Sequence, residues 1–235
     1  MLRKILFVSA LLLATNLYAQ TATLTVTGTT AVPVCTFILG SGGVADFGTL
    51  TAAAVQAWQV APSPSRYVSS VAMAKTLTLS VDCPTPAKVA ISFIDNKAAT
   101  ASPSASSSIV SFGLGIYTPA GRAATNIGRY YLAYGNLTVR ATPTDTAVAP
   151  AMKLLTTGVA TASSTWHMAV GEEDRYVIPG RPVGFGLAAT ALTPDSLSTI
   201  SGDLIVYFEP LTEVVNSATT VINLDGSATA TLMFL

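Results

Sequence analysis

His167 is the single histidine of the chain, and there are two cysteines, Cys35 and Cys83. Acid–base or nucleophilic chemistry needs a titratable group near neutral pH, and histidine is the usual supplier. Here it sits in Thr165-Trp166-His167-Met168-Ala169-Val170, between two large apolar residues, and reads as a strand position. No nucleophile-elbow pattern accompanies it, so a Ser-His-Asp site is not expected. Zinc would need paired ligand spacings that Cys35, Cys83 and His167 do not offer. Glu172-Glu173-Asp174 follows Gly171. Three consecutive acids do not match a calcium loop, which spaces its ligands at alternate positions; they read as a solvated turn. Gly40-Ser41-Gly42-Gly43 lacks the Lys-Ser/Thr partner of a phosphate loop and reads as a turn. Arg129 with Tyr130, Tyr131 and Tyr134 could stack on a sugar, but sheet packing is the simpler expectation. The chain is therefore expected to be non-enzymatic, with no metal and no cofactor.

The elements that hold these residues are strands. Of the 235 residues, 50% are apolar and 10% charged, which excludes a disordered chain. Arg3 and Lys4 precede the apolar run Ile5–Ala14, and Leu17-Tyr18-Ala19 offers a cleavage site; residues 1–19 read as a signal peptide. That run is too short to span a bilayer, and no membrane insertion is expected. Its removal takes twelve basic and twelve acidic residues to ten and twelve, a net charge of −2. Such a balance attracts neither nucleic acid nor anionic lipid. In the oxidising compartment that export implies, Cys35 and Cys83 read as one disulfide, the alternative being two buried thiols. The disulfide would close a loop of roughly 49 residues, worth on the order of 4 kcal/mol in the chain-entropy model.

Alternation marks the strands. Thr21, Thr23, Thr25, Thr27 and Thr29 interleave with Ala22, Leu24, Val26 and Gly28, a period-2 strand near the start of the exported chain. Val44–Leu50, Met73–Cys83, Val89–Ile94, Ser111–Tyr117, Thr165–Val170, Arg181–Leu192 and Ser201–Leu211 read as further strands. Gly128–Arg140 reads as a hairpin turning at Gly135-Asn136, and Ala52–Ala61 as a brief helix or loop. At the end, Val221–Leu224 runs into the tight-turn pair Asp225-Gly226. A final strand then places Ala228, Ala230, Leu232 and Phe234 on one face, with Ser227, Thr229 and Thr231 on the other. No long amphipathic helix appears. The expected fold is an all-β, immunoglobulin-like Greek-key sandwich, one domain over residues 20–235.

Several motifs together resemble the fimbrial (pilin) subunits of the bacterial chaperone–usher pathway. They are Val26-Thr27-Gly28 leading to Cys35, Gly43–Gly48, Leu77–Cys83, and the closing Ala230–Leu235. Pro86–Asn96 and Leu224–Leu235 further resemble the DUF1120 proteins, a β-fimbrial branch of that class. The resemblance implies a sandwich that lacks one strand and leaves an apolar groove. A periplasmic chaperone fills it first and the N-terminal strand of a neighbouring pilus subunit later, by β-augmentation at the outer-membrane usher. Carried over to this chain, Ala22, Leu24, Val26 and Gly28 would be the donated residues. Cys35–Cys83 would fasten the first strand to the second. Ala228, Ala230, Leu232 and Phe234 would border the groove and meet the chaperone. The resemblance implies export through the periplasm to a cell-surface fimbrium. The alternative is a self-complemented fimbrial-type adhesin or secreted carbohydrate-binding module, in which the last strand fills the groove of its own chain and the partner is a host or surface glycan.

Overall fold

The longest element decides the architecture. In the computed structural model β2 spans Ala74–Asp95, a strand of 22 residues. The structure describes residues 34–48, 51, 74–101, 111–118, 121, 123–156, 160–161, 163–170, 174, 176–217 and 221–235. The signal peptide, the alternating strand Gln20–Thr29, the segment Ala52–Ala61 and the pair Glu172-Glu173 lie outside them.

Leu77, Leu79 and Val81 alternate with exposed or half-exposed Thr78, Ser80 and Asp82, so the first half of β2 is buried on one face. From Val89 to Phe93 every residue is buried, so the second half is covered on both faces. Between them stands Cys83-Pro84-Thr85-Pro86. Neither proline has an N–H to give a ladder. Pairing with the neighbouring strand accordingly slips there: Thr199 stands opposite Asp82, but Leu197 opposite Ala87. The sequence predicts two strands on either side of these prolines; they are one strand that passes through a bulge from one layer to the other.

The first layer orders β3 (Phe112–Gly113), β6 (Gly128–Arg140), β10 (Ser196–Pro210), the first half of β2, and β1 (Thr36–Leu39). The second orders β11 (Ala228–Phe234), the second half of β2, β9 (Val183–Gly186), β7 (Met152–Leu155) and β8 (His167–Met168). All these pairings are antiparallel. A separate ribbon pairs β4 (Ile116–Tyr117) with β5 (Thr125–Asn126). Inward residues of both layers form one core, with Leu79, Ile91, Phe185, Ile200 and Phe208 almost wholly buried. A six-residue helix, α1 (Thr212–Ser217), adds Val214 and Val215. The fold is an all-β sandwich with one disulfide, Cys35–Cys83, whose Cα atoms are 4.2 Å apart.

Four local expectations change. Gly128–Arg140 is no hairpin: β10 pairs it on both sides of Gly135-Asn136, and the register slips between Ser201 and Asp203. Asn136 takes a left-handed φ of 48° and its amide donates to the Asp203 carboxylate at 2.6 Å, so the turn residues build a β-bulge. Val44–Gly48 forms no strand; Gly48, at φ 67°, donates its N–H to Asp46 Oδ1 at 2.7 Å in a local turn. Ser111–Tyr117 is cut into β3 and β4 by Gly115 at φ 93°. Val221–Leu224 is irregular rather than a strand of a terminal hairpin.

Candidate binding groove

β11 carries four of the residues singled out above. Its alternation places Ala228, Ala230 and Leu232 against the core, opposite Asp95, Phe93 and Ile91 of β2. Phe234 continues this row opposite Val89 but is 40% exposed. On the other face Met233, with Leu235 beyond the strand, joins Ala90, Leu154 and Trp166 in a second cluster. The strand is thus anchored through both faces and through one edge. Among the described residues its other edge has no strand partner.

Beside that strand lies a cavity of about 570 Å³. Its floor is apolar and comes from both layers: Leu77, Phe93, Leu132, Leu204, Val206 and Phe208. One wall is Ala228 and Ala230 with Ile222 and Leu224 ahead of them; the other is Leu39 and Val44–Gly48, just after β1. Phe47 seals the floor on that side by packing on Phe208, with ring centroids 5.7 Å apart. Val44 and Val221, on opposite rims, are exposed. Asp46 is the single charged residue of the lining, and its carboxylate already accepts the Gly48 N–H. Exposed valines beside a largely apolar lining form a surface on which burying an apolar group is favourable and burying an unpaired charge is costly.

The irregular wall is fixed by hydrogen bonds at its end. Asp225 donates its N–H to the Leu114 carbonyl and Asn96 donates its own to the Ser227 carbonyl, both at 3.0 Å. Lys97 Nζ meets Asp225 Oδ2 at 2.6 Å, and the Asn96 amide donates to Ser227 Oγ at 3.0 Å. Gly226 is required here: a Cβ on it would stand 2.9 Å from the Tyr130 ring. Tyr130 lines this end of the cavity. Burial, and next the charge of Asp95, push its hydroxyl well above the usual tyrosine range, so it stays neutral.

The remaining candidates lie elsewhere. Cys35 and Cys83 join β1 to β2. His167 is exposed on β8 opposite Leu155. Asp174 pairs with Lys153 at 3.1 Å, and no metal-holding group of His, Cys, Asp and Glu occurs among the described residues. Tyr130 and Tyr131 are buried in the sheet. Arg129 stacks 5.1 Å over Tyr131 and bonds Glu209 at 2.7 Å, so these groups pack with each other. Ala22, Leu24, Val26 and Gly28 fall outside the described residues. No helix among the described residues is long and apolar enough to cross a membrane.

Sequence reasoning missed most of the groove. The floor residues carried a signal, since each is an inward position of a strand. Leu39, at the end of the four-residue β1, and the irregular Val44–Gly48 and Ile222–Leu224 carried no signal of a shared groove, because no local period encodes the approach of distant segments. No curated protein and no solved structure matches the chain. The model of the family described as "Protein of unknown function (DUF1120)" matches residues 24–135, the stretch that holds both cysteines, β1 to β5 and the first half of β6, and this supports assigning the chain to that family.

Proposed function

We propose that this chain is a structural, non-catalytic subunit of a cell-surface fibre, assembled by β-strand donation between chains after export through the periplasm. The observation that carries the proposal is a strand edge, unpaired among the described residues, whose first half at Ala228 and Ala230 borders an open cavity with a largely apolar lining. A strand laid beside β11 would take backbone hydrogen bonds from its edge and seat every second side chain in the trough. Cys35–Cys83 and the export signal read from the sequence agree with an oxidising route. The donated strand is Thr21–Thr29 of a neighbouring subunit, with Ala22, Leu24, Val26 and Gly28 facing the trough. Before assembly a periplasmic chaperone covers the same groove, and an outer-membrane usher mediates the exchange. The last strand borders the cavity rather than filling it, which favours an open subunit over a chain complemented by its own end.

Export of the full chain with a periplasmic chaperone and usher tests this. Interlocked subunits give ladders that survive SDS without heating, and Leu24→Asp with Val26→Asp abolishes them. A monomer under all conditions, or ladders unchanged by the two substitutions, overturns the proposal.

A further inference from the structure

We infer that Val44–Gly48 is a hinged strap that holds the empty groove partly shut: its Phe47 covers Phe208, and an incoming strand must lift it to reach that part of the floor. The inference rests on the strand-accepting proposal above and adds how entry to the groove is controlled.

The two walls are held differently. The wall at Ile222–Ala230 is tied to other elements by the bonds between Asp225 and Leu114, Asn96 and Ser227, and Lys97 and Asp225, and it then becomes β11. Among the described residues the Val44–Gly48 backbone is bonded only locally. Val44 donates its N–H to the Ser41 carbonyl at 3.2 Å, and Gly48 donates to Asp46 Oδ1 at 2.7 Å. The side chains of this wall alternate nonetheless: Val44 and Asp46 are exposed, whereas Ala45 and Phe47 are half-buried against the core. Side-chain contact therefore holds it down, chiefly the Phe47 ring on Phe208 at 5.7 Å. A segment with few backbone bonds to its surroundings opens locally, without unfolding the sandwich.

The hinge lies just before it. Ser41, Gly42 and Gly43 are three consecutive left-handed residues, at φ 54°, 62° and 77°. Such a run is costly for a residue with a Cβ, and glycine relieves it. Ahead of the turn the chain is pinned, since a Cβ at Gly40 would collide with the Thr78 side chain of β2. At Gly42 a Cβ would meet nothing within 4 Å, so the turn itself stands clear of the sandwich. A pinned end, a turn free to move and five residues resting on one aromatic contact together make a strap. Closed, it keeps Phe208 almost wholly out of water. It also lowers the apparent affinity of the groove in proportion to the fraction of chains in which it is lifted.

The test uses the full exported chain with Leu24→Asp and Val26→Asp, so that its own segment cannot occupy a groove, and a synthetic peptide of residues 20–32 as the occupant. Phe47→Ala removes the contact that keeps the strap down. Gly42 does not line the cavity, and Gly42→Val acts only through the turn, whose left-handed backbone a β-branched residue strains. Both variants are expected to bind the peptide at least about fivefold more tightly than the parent, Gly42→Val with the Phe47 ring still in place. A fixed wall predicts the opposite sign, because each variant would then lose packing around the occupant. Gly42→Val, at an exposed position, carries the test alone should Phe47→Ala lose the circular dichroism of the parent. Peptide bound no more tightly by a folded variant than by the parent overturns the inference and leaves the strand-accepting proposal standing. No binding to the parent or to either variant overturns both.

Discussion

Tyr134 points its ring between Phe93 and Phe185, at centroid distances of 6.4 and 5.9 Å, and its hydroxyl has no hydrogen-bond partner among the described residues. An unsatisfied buried hydroxyl costs about 1–3 kcal/mol, while the ring contributes apolar contact. Tyr134→Phe keeps the ring and removes the liability. It is expected to raise the unfolding free energy by about 1 kcal/mol in urea titrations. The same residue sets a pH dependence. Burial raises its folded-state pKa above the ordinary value of 10.0, so the folded chain holds a proton that the unfolded chain releases. Stability is therefore full below pH 10 and falls as pH rises beyond it. Titrations between pH 8 and 11 should show that fall, and Tyr134→Phe should flatten it. Tyr130, raised for the same first reason, keeps a share of the slope in the variant.

Among the elements, β1 is a short strand with little hold of its own. It is four residues long and, among the described residues, pairs only with Leu79–Asp82 of β2. The disulfide at its start fixes it, and the wall of the groove continues directly from its end. Replacing Cys35 and Cys83 by serine is expected to lower the unfolding free energy by on the order of 4 kcal/mol, measured against the oxidised parent. It should weaken strand binding as well, because Leu39 then loses its anchor. These elements also show where sequence legibility stops. Alternation revealed Leu77, Leu79 and Val81, and the row Ala228 to Phe234, because a half-buried strand must alternate. It could not reveal that β2 crosses layers, since Pro84 and Pro86 look locally like a strand end. Gly135-Asn136 looked like a hairpin because a bulge with a left-handed asparagine uses the same residues as a turn. The groove itself is a relation between distant segments, Val44–Gly48 and Ile222–Ala230, and no local pattern encodes their approach.

At the scale of the whole molecule, the edges of the sandwich differ. β3 and β8, at the outer ends of the two layers, are two residues each, too short to template another chain. β11 is seven residues of Ala, Thr, Leu, Met and Phe, with no lysine, proline or bulge to protect it. Among the described residues β11 thus offers an unpaired edge beside a cavity of about 570 Å³, which under the proposed function a strand of a neighbouring subunit completes. Amide hydrogen exchange of β11, in the full chain carrying Leu24→Asp and Val26→Asp, measures this most directly. The Leu235 N–H points to the Lys88 carbonyl, so by alternation the amides of Ala230, Leu232 and Phe234 point away from β2. Adding the peptide of residues 20–32 should slow exchange at those three amides while leaving Thr229, Thr231 and Met233, already bonded to β2, little changed. Unaltered exchange along that edge at saturating peptide would contradict the account.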